Sequence, residues 1–406
     1  MRLRVKAARG AARRLAAAAA VLMVAGGVAA CGSDDGDNAA AAPSGAAGLT
    51  DEAKLTEARE IVDKWRNKQE FVAPGPALDV GTQMQGKTVY WIGNANQVPI
   101  VRRTIEGGTE ALKELGAKVI VGDAKGQPSV LLTEIDKAIS RNVDAIVTTS
   151  FSPDSISAGL KAAQQAGIPV ILSFAGDPVL PTDEQKQMGI AALPTYCYSC
   201  GGEIAAAAAI VHAADAGIDK IEAASFQAPE SPNSVLGAEG FVKELERLCP
   251  DNCTAKLEDA PVAKWGPELT SQIESLLRRS PDLNYMYASF DNILDWAIPG
   301  IANMSATDRV HAIGFNGSDI PMQNLKDGRG PVVGEIWNPA HWTGWSVTDA
   351  IVRAILGEEP SDVAVTQDRL FMGDDASQLD VKEDSQASWY GALDFRAEYR
   401  KLWGLQ

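Results

Sequence analysis

Histidine is scarce in this sequence, which has only His212, His311 and His341 among 406 residues. No two of them stand at the spacing by which a helix or turn gathers zinc ligands, so we predict no metal site. His212 and His311 fall in an Ala-rich predicted helix and a predicted strand, where a satisfied structural histidine is the more common role. A Gly-x-Ser-x-Gly elbow and a distinct pair of carboxylates are also absent. We therefore expect a protein that is not an enzyme and that needs no cofactor.

Basic residues are scarce beyond residue 30. The first 30 residues hold six of the 37 basic residues and no acidic one, so their removal leaves 31 basic against 53 acidic residues. Such an acidic body repels a phosphate backbone, and no Lys/Arg cluster in the remainder could form a basic face. The composition therefore argues against nucleic-acid binding.

The N-terminus lacks an apolar run long enough to span a membrane. The run at 15–24 is shorter than the roughly 20 residues required, and it follows a basic stretch. This pattern predicts a signal peptide over 1–30. The residues Val28-Ala29-Ala30-Cys31 resemble a bacterial lipobox, whose cysteine is lipidated. Since 31–49 lacks the bulky apolar residues of a core, we predict a flexible tether there. The protein would then be exported and lipid-anchored at Cys31 on the outer face of the bacterial cytoplasmic membrane.

Four cysteines remain beyond the predicted anchor: Cys197, Cys200, Cys249 and Cys253. An even number outside the cytoplasm favours disulfides, but four cysteines allow three pairings, which the sequence leaves open. The pair Cys197 and Cys200 precedes a predicted helix, and a helix N-terminus lowers the pKa of a thiol. A thiol-disulfide enzyme is therefore an alternative reading of this pair.

Residues 81–88 match the phosphate-loop pattern of glycine, four residues and Gly-Lys-Thr. A working phosphate loop follows a strand and opens a helix, whose free N–H groups hold the phosphates. This segment follows a Pro-Gly-rich linker and leads into a predicted strand. We therefore interpret the match as accidental.

Short apolar runs alternate with segments of helical period along most of the chain. One amphipathic helix is predicted over 50–70, followed by a linker to 85. The predicted strands are 88–93, 117–121, 143–149, 168–174, 220–226, 283–288, 310–315 and 332–337. The predicted helices between them are 101–115, 128–141, 155–166, 234–248, 267–279 and 341–356. This order predicts an α/β fold with doubly wound parallel sheets, and the number of strands favours two lobes over one very wide sheet.

Amide, carboxylate and indole side chains follow several of the predicted strands. They are Asn94, Asn96, Gln97, Asp291, Asn292, Asn316, Ser318, Trp337 and Asn338. Each alone is more often a turn-capping residue than a ligand contact. Ligands of such sheets bind beyond the carboxyl ends of the strands, where amides can bond hydroxyls and indoles can cover the C–H face of a sugar. Repetition at several strand ends therefore favours a ligand site.

The stretch from Lys87 to about Val365 resembles the ribose-binding-protein-like family of solute receptors for ABC importers, with the type I periplasmic-binding fold. The resemblance is carried by GKTVYWIGNANQVPIVRRTIEGGTEALKELGAKVIV, RNVDAIVTTSFSPDSISAGLKAAQQAGIPVILSF and AIGFNGSDIPMQNLKDG followed by PVVGEIWNPAHWTG. It implies two Rossmann-like lobes joined by a hinge of three chain crossings. Lobe one would be 86–190 plus 338–364, and lobe two would be 191–337 plus the tail 365–406.

The resemblance also implies a set of ligand contacts. By position they are Asn96, Phe174, Asn233, Ser234, Trp265, Phe290, Asp291, Asn316 and Trp337. The chain departs from many sugar-binding members, which carry an Asp-Arg pair near Phe174; here Asp177 is the nearest carboxylate. Val235 stands where pentose binders often have arginine. These departures indicate a ligand that is larger or less hydroxylated than ribose or glucose.

The function implied by the resemblance is capture of a small, sugar-like ligand between the lobes and delivery to the transmembrane subunits of an ABC import permease. One alternative is a ligand receptor for a sensor kinase. A second is the thiol-disulfide oxidoreductase using Cys197 and Cys200. A LacI-type repressor has a similar ligand fold, but here the export signal occupies the place of its DNA-binding helices.

Overall fold

The computed structural model describes residues 48–67, 70–358, 366–381 and 389–405. The predicted signal peptide, the predicted lipidation site Cys31 and the tether up to residue 47 lie outside the described residues.

The described strands form two sheets. The first has the order β2-β1-β3-β4-β5 and is parallel throughout. The second has the order β11-β10-β9-β8-β6-β7 and is parallel except for β11, which runs antiparallel to β10. The strands are β1 Thr88–Gly93, β2 Lys118–Asp123, β3 Ala145–Thr149, β4 Val170–Ser173, β5 Ile190–Ala192, β6 Ile221–Gln227, β7 Cys253–Asp259, β8 Tyr285–Ala288, β9 His311–Asn316, β10 Val332–Trp337 and β11 Arg369–Met372. The predicted α/β class with parallel sheets in two lobes is confirmed.

Helices connect the parallel strands. They are α1 Glu52–Arg66, α2 Pro99–Glu114, α3 Pro128–Ser140, α4 Ser157–Gln165, α5 Asp183–Gln187, α6 Tyr198–Ala216, α7 Pro232–Leu248, α8 Pro267–Arg279, α9 Asp291–Asn303, α10 Asp319–Asp327, α11 Ala340–Leu356, α12 Asp374–Ser377 and α13 Phe395–Leu402. Proline occupies an early position in α2, α3, α7 and α8. A backbone N–H there would have no acceptor within the helix, so its absence in proline costs no helical hydrogen bond.

The central strands are apolar because helices cover both faces of each sheet. In β1 every residue after Thr88 is buried, and in β3 all five residues are buried. Edge strand β7 is different: it alternates polar and apolar residues and is largely exposed. Continuous apolar runs are typical of the inner strands of a parallel sheet, whereas an edge strand keeps polar groups.

Helix α11 follows the second sheet in the chain but packs against α2 beside the first sheet. The two helices approach through glycines. A Cβ added at Gly344 would lie 2.3 Å from the Thr104 carbonyl oxygen, and one at Gly107 would lie 2.5 Å from the His341 carbonyl oxygen. Thr348 Oγ1 also donates to the Gly108 carbonyl oxygen. Strand β5 belongs to the first sheet, β6 and β10 belong to the second, α11 packs beside the first, and β11 pairs in the second. The chain therefore crosses between the lobes at 193–197, at 338–339 and again between α11 and β11.

Helix α1 packs on the outside of the second sheet, against α6. Arg59 pairs with Asp215 at 2.6 Å, and Thr50 Oγ1 donates to the Leu248 carbonyl oxygen at 2.7 Å. Its N-cap is Asp51, whose side chain accepts from the Lys54 N–H. The helix predicted over 50–70 is thus present with shorter bounds.

The C-terminal helix differs from its predicted placement in lobe two. Strand β11 does pair in the second sheet, but α13 packs on α2 and α11 beside the first. Arg396 makes two hydrogen bonds with Glu110, Arg400 makes two with Glu114, and the Trp403 ring stacks on Trp345 at 5.5 Å. The buried indole on α11 supplies the apolar surface that holds this helix.

The cysteines form two local disulfides, Cys197–Cys200 and Cys249–Cys253, which resolves the pairing that the sequence left open. The phosphate-loop match ends at Thr88, the first residue of β1, so it leads into a strand. No helix among the described residues combines the length and apolar character needed to cross a membrane.

Candidate functional site

The carboxyl ends of the strands in both sheets carry most of the predicted contacts. Asn96 follows β1, Phe174 follows β4, Phe290 follows β8, and Asn316 ends β9. In open α/β sheets this edge is where ligands bind, because helix N-termini and turns converge there. These positions therefore suit contacts with a ligand.

Phe174 lies between the lobes. It directly follows β4 and adopts a left-handed backbone with φ of 58°, which is uncommon for a bulky residue. Its N–H donates to the Pro194 carbonyl oxygen at 3.1 Å. Its ring is buried and stacks on Tyr196 with ring centroids 4.8 Å apart. The residue is therefore held by the crossing segment that leads into α6.

Asn233 reaches Phe174 from the second lobe. It lies in the first turn of α7, and its Nδ2 donates to the Phe174 carbonyl oxygen at 2.5 Å. The Asn233 side chain is 3% exposed, and its Oδ1 has no hydrogen-bond partner within the described residues. A buried acceptor without a partner costs free energy, so this oxygen is suited to accept a hydrogen bond from a ligand.

Ser234 has a different role from its neighbour. Its Oγ accepts from the Ala228 N–H at 2.7 Å and shares a 2.5 Å hydrogen bond with Ser289 Oγ. Ser289 Oγ also donates to the Phe226 carbonyl oxygen. Ser234 thus links the loops after β6 and β8. This link positions the neighbouring Asn233.

Asn96 joins the loop after β1 to the end of β2. Its Nδ2 donates to the Gly122 carbonyl oxygen at 3.0 Å. Its Oδ1 is buried and, in the described part of the chain, has no hydrogen-bond partner. The same holds for the amide oxygens of Asn94, in the same turn, and of Gln227, at the end of β6. Buried amide oxygens without partners therefore occur at this edge of both sheets.

Asp291 is not available as a simple ligand acceptor, since its two oxygens accept from backbone N–H groups in β9 and in the turn after it. Oδ1 accepts from the Phe315 N–H at 2.9 Å and Oδ2 from the Ser318 N–H at 2.6 Å. Glu335 Oε1 accepts from the Gly317 N–H in the same turn. Burial raises the pKa of Asp291, and burial with the nearby Asp291 charge raises the pKa of Glu335 well above its usual range.

A glycine makes room for this pair of acids. A Cβ on Gly314 would lie 2.1 Å from Glu335 Oε2 and 2.6 Å from Asp291 Oδ1. Sequence reasoning missed Glu335, because its position inside an apolar strand gives no sign of a buried acidic partner. Two buried acids so close together cannot both be charged without a large cost, which favours a form in which Glu335 stays protonated.

Asn316 leads into a chain of hydrogen bonds at the hinge. Its Nδ2 donates to Asn338 Oδ1 at 2.9 Å, and Asn338 Nδ2 donates to Asp368 Oδ1 at 2.7 Å. Burial raises the pKa of Asp368 to about 8. Asn338 and Asp368 lie on two different crossings between the lobes. The chain therefore joins the end of β9 to the hinge.

Trp337 lies in the core, contrary to the expectation of a ligand-facing ring. Its indole is buried and meets Phe371, Trp389 and Tyr390, with ring centroids 6.4, 5.3 and 4.7 Å away. These aromatic partners come from β11 and from the segment before α13. They cover the ring, which therefore cannot stack on a ligand in this arrangement.

Trp265 and Phe290, which follow the carboxyl ends of β7 and β8, are brought together in the second lobe. Their rings meet edge to face at 6.4 Å, and Trp265 Nε1 donates to the Ala260 carbonyl oxygen at 2.9 Å. Both side chains are partly buried. They form an aromatic corner beside the loops after β7 and β8.

Two interlobe contacts were not predicted. Arg103 on α2 pairs with Asp319 at the start of α10, with 3.1 Å between nitrogen and oxygen. Asp177 Oδ1, in the loop after β4, accepts from the N–H groups of Tyr198 and Ser199 and so caps α6. The sequence shows Asp177 only as the carboxylate nearest Phe174, because a cap from another lobe leaves no local pattern.

The two histidines predicted to be structural lie together in the second lobe. His212 Nδ1 is 2.7 Å from the Tyr285 hydroxyl, and the His311 ring lies 4.7 Å from the His212 ring. Burial lowers the pKa of both histidines, that of His311 to about 4. Among the described residues, no group of three or more His, Cys, Asp or Glu side chains is arranged to hold a metal ion.

Comparison with known proteins finds relatives in sequence and solved structures of similar fold. The ribose import binding protein RbsB of Bacillus subtilis is 25% identical over 228 residues, which are 55% of this chain and 67% of that protein. A solute-binding protein of an ABC transporter from Agrobacterium vitis, solved with alpha-D-tagatopyranose, superposes with a TM-score of 0.64 at 19% identity, covering 73% of this chain and 98% of the other.

A Bacillus halodurans solute-binding protein of an ABC transporter, solved with myo-inositol, gives a TM-score of 0.60 at 17% identity over 73% of this chain and 97% of the other. Both structures show the similarity of fold. Residues 89–359, well over half of the chain, match the family described as the periplasmic binding protein domain. The chain therefore belongs to the periplasmic binding protein domain family.

Proposed function

We propose that this protein is a lipid-anchored solute receptor that binds a small, uncharged sugar or polyol between its lobes and delivers it to the permease of an ABC importer. Lobe one would consist of 86–192 and 340–358 together with α13, since β5 pairs in the first sheet. Lobe two would consist of 198–337 and 366–381. The protein would change the location of its ligand and not its covalent structure, as expected of a protein that is not an enzyme.

The observation that carries the proposal is the contact between Phe174 and Asn233. It joins the two lobes at the carboxyl ends of their strands, and it leaves the buried Asn233 Oδ1 without a protein partner among the described residues. Asn96 and Gln227 offer further buried amide oxygens at this edge. Hydroxyl groups are the natural donors to such acceptors.

The chemistry of the predicted contacts supports an uncharged ligand. The set contains no lysine or arginine, and its one carboxylate, Asp291, already accepts from two backbone N–H groups. A phosphate or carboxylate group would find no counter-charge among them. Phe174, Trp265 and Phe290 supply apolar rings that suit the C–H face of a sugar or cyclic polyol.

The relatives support the same ligand class. The Bacillus subtilis relative is named for ribose import, and the two solved neighbours hold tagatopyranose and myo-inositol. These ligands share several hydroxyl groups and no charge. Their chemistry matches the amide oxygens at the edge of both sheets in this chain.

Binding would work by closure of the hinge. A ligand that bonds to both lobes has more contacts in the closed form, so it raises the population of that form. Asn233 and Phe174 from one side, and Arg103 with Asp319 from another, would be assembled together on closure. The permease would then receive the closed, loaded form.

The anchor is proposed from the sequence around Cys31. Its lipidation can be tested by metabolic labelling with a fatty acid and by cell fractionation. We expect the wild-type protein to take up the label and to sediment with membranes, and Cys31→Ser to do neither. A labelled or membrane-bound Cys31→Ser variant would contradict the proposed anchor.

Ligand binding can be tested by thermal unfolding of the fragment from residue 48, since residues 46–406 form one compact unit. The panel would contain pentoses, hexoses, sugar alcohols and inositols, with amino acids and sugar phosphates for comparison. We expect at least one neutral polyol to raise Tm by several degrees, as ligand linkage requires. A panel without any shift, or a shift with charged compounds alone, would contradict the proposal.

A further inference from the structure

The Cys197–Cys200 disulfide lies at a junction between the lobes. Cys197 is the N-cap residue of α6, directly after the crossing segment that leaves β5. The N–H of Cys200 donates to Cys197 Sγ at 3.3 Å, so the bond closes the first turn of the helix. The disulfide therefore fixes the point at which the chain enters the second lobe.

The residues beside Cys197 join the two lobes through their rings. Tyr196 stacks on Phe174 at 4.8 Å. Tyr198 meets Tyr196 edge to face at 6.0 Å and contacts Phe315, at the end of β9, at 5.8 Å. A row of four aromatic rings thus runs from the loop after β4 to the end of β9, and Cys197 lies between two of them in the chain.

Hydrogen bonds between side chains and backbone tie the crossing segment and the first turn of α6 to the loop after β4. Asp177 Oδ1 accepts from the N–H of Tyr198 at 2.6 Å and of Ser199 at 3.0 Å. Thr195 Oγ1 donates to the Gly176 carbonyl oxygen at 2.9 Å. The conformation of Phe174 and the first turn of α6 are therefore coupled through short, specific contacts.

The two disulfides differ in their access to solvent. Cys249 and Cys253 are 0% and 5% exposed, whereas Cys197 and Cys200 are both partly exposed. We therefore expect a soluble thiol to react with Cys197–Cys200 more readily than with the buried Cys249–Cys253 pair. The N–H of Cys200 and the N-terminus of α6 would also stabilise a thiolate on Cys197, which favours that sulfur as a leaving group.

We propose that Cys197–Cys200 is a thiol–disulfide exchange site through which a dithiol controls the hinge. One thiolate of the dithiol attacks Cys200 Sγ, the Cys197–Cys200 bond breaks, and Cys197 leaves as a thiolate that takes up a proton. The second thiol of the reagent then attacks the mixed disulfide and releases Cys200 as a thiol. The reagent is oxidised to its disulfide, and two electrons and two protons pass to the protein.

Reduction would free the first turn of α6 and loosen the contacts that hold Phe174. The consequence for ligand binding rests on the proposed function, because Phe174 matters there as part of the binding edge. The exchange site and its effect on the hinge do not depend on any ligand. They can therefore fail or succeed separately from the proposed function.

Access is tested on the full-length protein with graded dithiothreitol, followed by alkylation and peptide mass spectrometry. We expect Cys197 and Cys200 to become alkylated at reagent concentrations that leave Cys249 and Cys253 paired. Reduction of both pairs together, or of Cys249–Cys253 first, would overturn the proposal.

Coupling is tested by hydrogen exchange of wild type, C197S/C200S and the control C249S/C253S. In C197S/C200S we expect about tenfold faster exchange of the amides of Phe174, Tyr198 and Ser199, with little change elsewhere. The control should leave these three amides unchanged. Selectively reduced wild type provides the same measurement if the double variant does not fold. Unchanged exchange at these amides, or a uniform increase over the whole chain, would overturn the proposed control of the hinge.

Discussion

Asn233 and Phe174 belong to different lobes, yet the Asn233 Nδ2 lies 2.5 Å from the Phe174 carbonyl oxygen. Phe174 presents this oxygen from a left-handed backbone, which a phenylalanine adopts only when its surroundings impose it. Asp177 and Tyr196 supply those surroundings through the cap of α6 and the stacked ring. The contact is therefore built by the hinge as well as by the two residues that make it.

Replacement of Asn233 by alanine should weaken ligand binding. The change removes the contact to Phe174 and the buried Oδ1 acceptor, and the loss of one buried hydrogen bond corresponds to about 1–3 kcal/mol. We expect roughly a tenfold to hundredfold rise in Kd, measured by calorimetry with the panel compound that raises Tm most. Asn303→Ala serves as the control, because it removes an exposed hydrogen bond from Asn303 Nδ2 on α9 to Glu274. Equal affinity in Asn233→Ala and wild type would remove this residue from the site.

Asp368→Asn should make stability less dependent on pH. Burial raises the pKa of Asp368 to about 8, from about 3.9 in the unfolded chain. The folded state therefore binds this proton more tightly than the unfolded chain. The stability that protonated Asp368 contributes is complete below about pH 4 and is lost as pH rises to about 8. Asparagine keeps the acceptor for Asn338 without the charge. Between pH 5 and 8 the free energy of unfolding of the variant, measured with urea, should exceed that of wild type by about 1–3 kcal/mol, and the difference should grow with pH.

Asp63→Asn, at an exposed position on α1, provides the control for this experiment and should follow the wild-type pH profile. A stability difference between Asp368→Asn and wild type that stays constant from pH 5 to 8 would show that Asp368 ionises normally in the folded protein.

Arg353→Met should destabilise the fold strongly. Arg353 Nε lies 2.7 Å from Asp349 Oδ2, and both side chains are 2% exposed. Removal of the arginine leaves a buried carboxylate without its charge partner, which costs about 3–5 kcal/mol. Arg59→Met breaks an exposed pair with Asp215 and should cost less than about 1 kcal/mol. Urea unfolding of both variants tests this contrast, and similar values for the two would contradict it.

Trp403→Ala should also destabilise the protein if α13 is part of the first lobe. The indole is fully buried, stacks on Trp345, and donates from Nε1 to Asp349 Oδ1. Loss of a buried tryptophan costs about 3–5 kcal/mol. Leu405→Ala, two residues further on and exposed, should have little effect on the urea midpoint. A small effect of Trp403→Ala would mean that α13 contributes little to the folded body.

The inner strands were predictable because burial on both faces demands an unbroken apolar run. Strand β1 was predicted with the bounds that it has, Thr88–Gly93. The strands that sequence reasoning missed are β5, β7 and β11, which have three, seven and four residues. Strand β7 is an edge strand with Lys256, Glu258 and Asp259 in it, and such a strand lacks the apolar signal.

The predicted site residues show the same difference between local features, which were predicted, and contacts between distant segments, which were not. Asn233 and Phe174 were identified by position in the resemblance, but their mutual hydrogen bond was not predicted. Trp337 was expected to face a ligand, and its ring is covered by Trp389 and Tyr390, which lie about fifty residues later in the chain. Local patterns report the environment that neighbours in sequence create, so contacts between distant segments escape them.

The sequence by itself determined the α/β order of elements, the edge of the sheets at which polar side chains gather, and the even set of cysteines for disulfides. Hydrophobic period and turn chemistry are local properties, which is why they could be read without a structure. Only the tertiary structure decided that α11 and α13 return to the first sheet, that Asp291 and Glu335 meet, and that Cys197–Cys200 closes the turn beside Phe174. These features depend on close packing between segments far apart in the chain, and no single segment carries that information.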